Sequence, residues 1–231
     1  SAFSLKKYSK DNLNISILKA SGEWDVYSKS LNEKNIDLID LNTSKYLSKK
    51  SFNGFLQSRM AYLYVFFRSF FSLKRLLEKR SPNFLIIHLI TSLPLFLFSI
   101  FNFDTKLILR ISGLPKMNFI RKFFWKFALK NVHKITCPTE ATKKDLIELK
   151  ICESEKIFTL YDPIIIFSEI VKKKNKKIEK KFEKDYFVAI GRLTKQKNFG
   201  FLINCFQKFV NKNKDLKLFI IGSGEEENNL I

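Results

Sequence analysis

Cysteine is scarce, and what there is does not pair. Cys137, Cys152 and Cys205 are the three cysteines of a 231-residue chain. They are odd in number, far apart and outside metal-ligand spacing, so neither a disulfide framework nor a zinc site is indicated, and a reducing, cytosolic compartment fits best. The opening residues, Ser1-Ala2-Phe3-Ser4-Leu5-Lys6-Lys7, lack an initiator Met and the apolar core of a secretory signal. No nucleic-acid-binding motif occurs, and the phenylalanines follow helical or strand patterns rather than a stacking platform. Acidic residues are few: 22 against 42 Lys and Arg, for a formal charge of +20. That charge speaks to partners rather than to fold, and suits nucleic acid, anionic membrane or a phosphorylated substrate alike. Part of it follows a general richness in Lys, Asn, Ile and Phe.

Long apolar runs are nearly absent too. Phe84 to Phe101 covers 18 residues, which only reaches the lower limit of about 18 for crossing a bilayer, and it contains His88 and Pro94. It reads either as a membrane span or as a strand ending at His88 and a buried helix near Leu93-Phe101. The pattern on both sides favours the strand and helix.

What the chain does have is alternation. Short apolar runs at Ile15-Leu18, Ile36-Leu41, Phe84-His88, Lys106-Ile111, Lys134-Cys137, Lys156-Leu160, Tyr186-Ile190 and Leu216-Ile221 read as strands, mostly apolar as buried parallel strands are. Helical patterns near Glu23-Asn32, Phe55-Lys79, Lys116-Asn131, Thr139-Lys150 and Phe199-Asn211 lie between them, so the expected fold class is α/β with a parallel sheet. Lys172 to Asp185 holds eight Lys and almost nothing apolar, which reads as a solvated linker or edge helix. The expected organisation is a domain at 1–170, a lysine-rich linker at 171–185 and the start of a second domain at 186–231. A stretch of 46 residues falls short of the roughly 100–150 typical of a domain, so the second is expected to be incomplete.

In open α/β sheets ligands bind beyond the C-terminal ends of strands, where loop amides and helix N-termini gather. After Tyr186-Ile190, Gly191 permits a tight turn, Arg192 and Lys197 place two cations beside the next helix, and Asn198 can cap it. The set suits a diphosphate: a forked Arg, a point-charge Lys and a helix end. The competing reading makes Arg192, Lys195 and Lys197 plain surface charges, and spacing alone leaves both open.

The run Gly191-Arg192-Leu193-Thr194-Lys195-Gln196-Lys197-Asn198 resembles the G-R-L-x-x-x-K-N segment of the retaining glycosyltransferase family 4. Three further segments resemble the family's in its own order: Lys134-Ile135-Thr136-Cys137-Pro138-Thr139-Glu140-Ala141-Thr142, Lys156-Ile157-Phe158-Thr159-Leu160-Tyr161-Asp162-Pro163, with Asp162 where Asn is usual, and Leu216-Lys217-Leu218-Phe219-Ile220-Ile221-Gly222-Ser223-Gly224-Glu225. The resemblance implies a GT-B fold of two Rossmann-like, doubly wound parallel-sheet domains. It implies transfer of a sugar, with retention, from a nucleotide-sugar donor such as a UDP- or GDP-sugar to a glycan or lipid-linked acceptor in cell-surface polysaccharide biosynthesis such as that of lipopolysaccharide. Gly191, Arg192 and Lys197 would hold the donor diphosphate, and neither cofactor nor metal is expected. Gly222 and Gly224 read as a phosphate cradle or, more in keeping with the family, as a turn that redirects the chain.

In the first domain two strand ends carry polar groups. His88 reads as a satisfied core histidine or, by resemblance, as a catalytic cleft group. Ser112 stands where the family commonly has a His near the donor sugar. Arg110, on a buried strand, needs an anion or an internal partner, and reads as an acceptor-side or donor-sugar group or as half of a salt bridge. His133 reads as structural.

On the helix Lys116-Asn131, at about 100° per residue, Phe119, Ile120, Phe123, Phe124 and Phe127 share one broad face, opposite Arg121, Lys122 and Trp125. The expectation is that the Phe face packs into the core while Trp125 and the cations meet something amphipathic, such as anionic lipid. Phe55-Lys79 adds a second aromatic and basic stretch. Peripheral contact with the inner face of the membrane follows as an expectation, and nucleic acid is not expected as a partner. The Gly-rich loop that follows the family's first strand and its two glutamates spaced eight apart have no counterpart here, so the chain is expected to be an inactive piece of a longer enzyme. The contrasting class is a basic peripheral-membrane or nucleic-acid-binding α/β protein without catalysis.

Overall fold

The computed structural model describes residues 2–9, 12–20, 22–41, 55–88, 92–114, 117–161, 167–176, 185–210 and 216–231. The chain divides into two units, residues 1–166 and 167–231. All strand pairs among the described residues are parallel, as expected where strands are joined by crossover helices.

The first unit opens with helix α1 (Ala2–Tyr8), strand β1 (Ile15–Lys19), a 3-10 turn at Gly22–Tyr27 with the short helix α2 (Ser28–Asn32), and strand β2 (Ile36–Asp40) paired with β1. Lys19 ties the edge of this pair, with its Nζ on Asp25 and 3.5 Å from Asp40. The long helix α3 (Phe55–Arg80) leads to β3 (Phe84–Ile87), α4 (Ser92–Ile100), β4 (Lys106–Arg110), α5 (Phe119–Leu129), β5 (Lys134–Cys137), α6 (Glu140–Glu148) and β6 (Ile157–Thr159). The sheet order β3-β4-β5-β6 follows the sequence. Right-handed crossovers then put the connecting helices on one face.

Burial along the strands reports that one-sided cover. Leu85, Ile87, Leu107, Leu109, Ile135 and Cys137 form the core with Leu73, Leu77, Leu97, Leu129 and Leu146 from the helices. Each such side chain contributes about 1.5–3 kcal/mol of transfer free energy. The alternate residues Phe84, Ile86 and Phe158 are exposed, so these strands are not buried on both faces as their composition suggests. Lysines cover part of that open face, with Lys134 Nζ 3.9 Å from the Phe158 ring centre and Lys106 Nζ 6.0 Å from that of Phe84. A lysine stem lies along apolar surface while its ammonium faces the ring and water.

The apolar run at 84–101 divides as the flanking pattern predicts, into β3 and the buried helix α4, whose Leu93, Leu95, Leu97 and Phe98 lie in the core. No helix among the described residues is long and apolar enough to cross a membrane.

In the second unit, helix α7 (Phe167–Lys174) precedes β7 (Tyr186–Ile190), α8 (Phe199–Val210), β8 (Lys217–Ile221) and α9 (Glu227–Leu230), with β7 and β8 paired. Phe187 stands 6.1 Å from the rings of Phe206 and Phe209 on α8. The start of the expected lysine-rich linker is helical: Lys172, Lys173 and Lys174 form the last turn of α7, which buries none of its residues. Residues 177–184 of that linker, and Asp162-Pro163 of the second resembling segment, lie outside the described residues.

Candidate functional site

The loop after β7 is held by an extension of the sheet. Past the strand ends Gly191 N donates to Ile221 O at 3.1 Å, Leu193 N to Ser223 O at 2.9 Å and Glu226 N to Leu193 O at 3.0 Å. Arg192 therefore stands on backbone bonded at both neighbours, with its side chain exposed. A 3-10 turn at Lys195–Lys197 carries exposed Lys197 to the start of α8. Asn198 does not take the extended conformation of a side-chain N-cap. It sits at φ 51°, ψ 44°, a left-handed conformation that Asn tolerates better than most residues. Its carbonyl accepts from Phe201 N and Leu202 N at 3.1 and 3.4 Å, so the residue starts the helix through its backbone.

Three glycines allow this approach of loops. A Cβ at Gly222 would lie 1.8 Å from Gly191 O, and one at Gly224 would lie 2.3 Å from Leu193 O. Of the two readings of Gly222 and Gly224, this geometry supports the turn: the missing side chains make room for protein backbone. At Gly191 a Cβ would meet the Phe199 ring at 3.3 Å. Beside the loop a depression of about 350 Å³ is lined by Thr194, Lys195, Asn198, Phe199, Gly200, Glu226, Asn229 and Leu230. Arg192 and Lys197 do not line it, and the Glu226 carboxylate makes it a poor seat for an anion. Arg192 and Lys197 face solvent instead.

In the first unit the structure brings three expected residues to one place. His88, Arg110 and Ser112 line a depression of about 170 Å³ with Leu109, Ile111, Gly113 and Trp125. His88 and Ser112 are exposed, so His88 is not a core histidine. Arg110 is 6 % exposed and its Nη1 donates to Leu160 O at 2.9 Å. The guanidinium thus reaches across β5 to the end of β6, and a backbone carbonyl meets part of the need for which the sequence suggested an anion or a salt bridge.

Two features escaped sequence reasoning. Leu160 O, fifty residues away, has no signal in a sequence. Trp125 does, as the lone Trp of a Phe-rich helix, but its placement runs against expectation. Trp125, Ala128 and Leu129 pack on the core, whereas Phe119, Phe123, Phe124 and Phe127 are 90, 69, 63 and 54 % exposed. The expected orientation of α5 is therefore reversed. Helix α5 packs against α4 with Trp125, Ala128 and Leu129 on the core side, so the smaller side of the helix is the one that is buried. Asn118 fixes the helix start, its Oδ1 accepting from Arg121 N at 2.8 Å.

Cys137 closes the core below the β5 end. Burial pushes its thiol above the usual range, so it stays protonated and unreactive. Among the described residues no group of three or more His, Cys, Asp or Glu gathers as a metal site.

Parallel strands with crossover helices and polar groups at the strand ends define an open α/β fold. Residues 171–231 match the family described as glycosyl transferases group 1. Over 114 residues the chain is 30 % identical to an uncharacterised glycosyltransferase of Methanocaldococcus jannaschii, a stretch covering 47 % of this chain and 27 % of the relative. The chain thus spans about a quarter of that relative's length. The structure is similar to a glycosyltransferase from Rickettsia africae ESF-5, with TM-score 0.56, 15 % identity and coverage of 93 % of this chain and 53 % of that one. It is also similar to TarM, with TM-score 0.51, 17 % identity and coverage of 72 and 32 %. The fold is accordingly α/β with parallel sheets, of the GT-B type.

Proposed function

We propose that the parent protein is a retaining glycosyltransferase that moves a sugar from a nucleotide-sugar donor, a UDP- or GDP-sugar, to a glycan or lipid-linked acceptor. The observation that carries the reading is the β7 loop: Gly191, Arg192 and Lys197 lie within the segment matched to group 1 glycosyl transferases, on backbone held by the neighbouring loop. Arg192 and Lys197 neutralise the departing diphosphate, so no metal is needed. Such stabilisation of a leaving group is among the largest contributions to enzymatic rate.

In the same reading, His88 is the catalytic group of the first domain, and Arg110 and Ser112 contact the acceptor or the donor sugar. Their shared depression supports this. The enzyme works in the cytoplasm at the inner face of the membrane, in cell-surface polysaccharide biosynthesis. Residues 1–170 serve as the acceptor domain, 171–185 as the linker and 186–231 as the beginning of the donor domain.

Titration calorimetry of the full-length parent with UDP- and GDP-sugars tests the proposal. Arg192→Ala and Lys197→Ala are each expected to weaken binding at least tenfold, about 1.4 kcal/mol. Unchanged affinity in both variants overturns it.

A further inference from the structure

The net charge is not spread evenly. Residues 41–139 hold 17 Lys and Arg against two acidic residues, Glu78 and Asp104, while the rest of the chain holds 25 against 20. The same stretch contains 15 of the 25 phenylalanines. Uniform compositional bias does not produce such a block.

The fold turns it into a surface. On α5 the exposed rings of Phe119, Phe123, Phe124 and Phe127 with Ile120 span an arc of about 140° at about 100° per residue. Lys126 flanks that arc on one side, Lys130 follows within it at the helix end, and Arg121 lies beyond its other edge. Neither α5 nor its cap contains an acidic residue. The face points away from the sheet, because Trp125 and Leu129 occupy the core side. Helix α4 packs against both α5 and α3, and ring contacts carry the apolar surface along: Phe66 lies 5.4 Å from Phe96 on α4 and 5.5 Å from exposed Phe67 on α3.

We propose that the outer face of α5, extended by α4 and α3, is a docking surface for an anionic phospholipid bilayer, with the phenylalanines in the headgroup–acyl boundary and Lys126, Lys130 and Arg121 at the lipid phosphates. This deepens the membrane location stated above and reverses the side of the helix that meets lipid. Charge decides the occupant. An aromatic face with adjoining cations and no carboxylate on α5 matches a negatively charged interface, whereas a second copy of the chain would bring the same cations against themselves. The rings supply apolar insertion, and the lysines restrict binding to anionic surfaces and make it salt-dependent.

The test is sedimentation of the full-length parent with vesicles of equimolar phosphatidylglycerol and phosphatidylcholine, beside vesicles of phosphatidylcholine alone. Binding to the anionic vesicles only, lost at high salt, is expected. Phe123→Asp/Phe127→Asp and Lys126→Glu/Lys130→Glu are each expected to weaken it about tenfold or more, with Lys144→Glu on α6 unchanged. Phe119→Asp, at the most exposed ring, serves as a milder variant whose melting temperature stays at the wild-type value.

Equal binding to both vesicle types, or full binding by the aspartate variants, overturns the proposal. So does a dimer that the aspartate pair dissociates without loss of vesicle binding. Nucleotide-sugar titration of the same variants is expected to be unaffected; a parent that binds vesicles in this way but no nucleotide sugar sinks the glycosyltransferase reading and leaves the docking surface standing.

Discussion

The two units are built from the same β-α-β repeat but held in different ways. In the first, four parallel strands and their helices bury an extensive core, with Leu97, Leu107 and Leu109 fully enclosed. In the second, among the described residues, Leu193 and Phe199 are the buried apolar side chains, while β7 is exposed along most of its length and β8 is at most half-buried. What orders the β7 loop is main-chain hydrogen bonding to the β8 turn. The contrast teaches that a site can be positioned locally without a deep core beneath it, while the unit carrying it gains little from burial.

The largest expected effect probes that contrast directly. Leu107→Ala removes a fully buried side chain from β4 and is expected to cost about 2–5 kcal/mol, measured by denaturant titration with hydrogen exchange resolved to each unit. Protection is expected to fall in β3–β6 and hold in β7–β8; an equal fall in both would break the comparison.

The next probe acts on the second unit. Gly222→Ala drives a Cβ into Gly191 O and is expected to cost about 1–3 kcal/mol through backbone displacement. The reduced hydrogen-exchange protection should centre on the Gly191 and Leu193 amides. Retained protection there would show that side-chain burial, rather than the loop-to-loop bonding, does the holding.

The smallest effect sharpens the comparison through thiols. Burial raises the Cys137 thiol above its ordinary value, and raises that of half-buried Cys152 as well, whereas Cys205 on α8 is exposed. A thiol raised on folding contributes stability below its unfolded value, near pH 8.5, and that contribution is lost as pH rises through the higher folded value. Stability is therefore expected to decline above about pH 9 in the wild type and to decline less in Cys137→Ala. At neutral pH a disulfide reagent should label Cys205 first and Cys137 only on unfolding. Early labelling of Cys137 would contradict the core described for the first unit.

Much of the architecture was legible in the sequence because it depends on local periodicity. All eight apolar runs form strands, to within a residue or two of their expected ends, and the split of 84–101 into β3 and α4 follows from the same alternation. The candidate site was legible in part: His88, Arg110 and Ser112 stood at the ends of strands that prove to be neighbours. Orientation was not legible. Periodicity says that two faces of α5 differ, not which one the core selects. The partner of Arg110 is a main-chain carbonyl, a group every residue has, so no pattern marks Leu160. Asn198 was recognisable as a helix-start residue, but its left-handed backbone is set by the 3-10 turn before it.

The contact between the Gly191 loop and the Gly222–Gly224 turn has a consequence for how this protein tolerates change. Because main-chain atoms meet there, most substitutions nearby alter chemistry without moving Arg192, and specificity has room to drift. At the glycines the opposite holds, since even a methyl group collides with a carbonyl oxygen. Variation around the candidate diphosphate site is thus sharply two-valued: broad latitude in side chains, and almost none at the points where the loops touch.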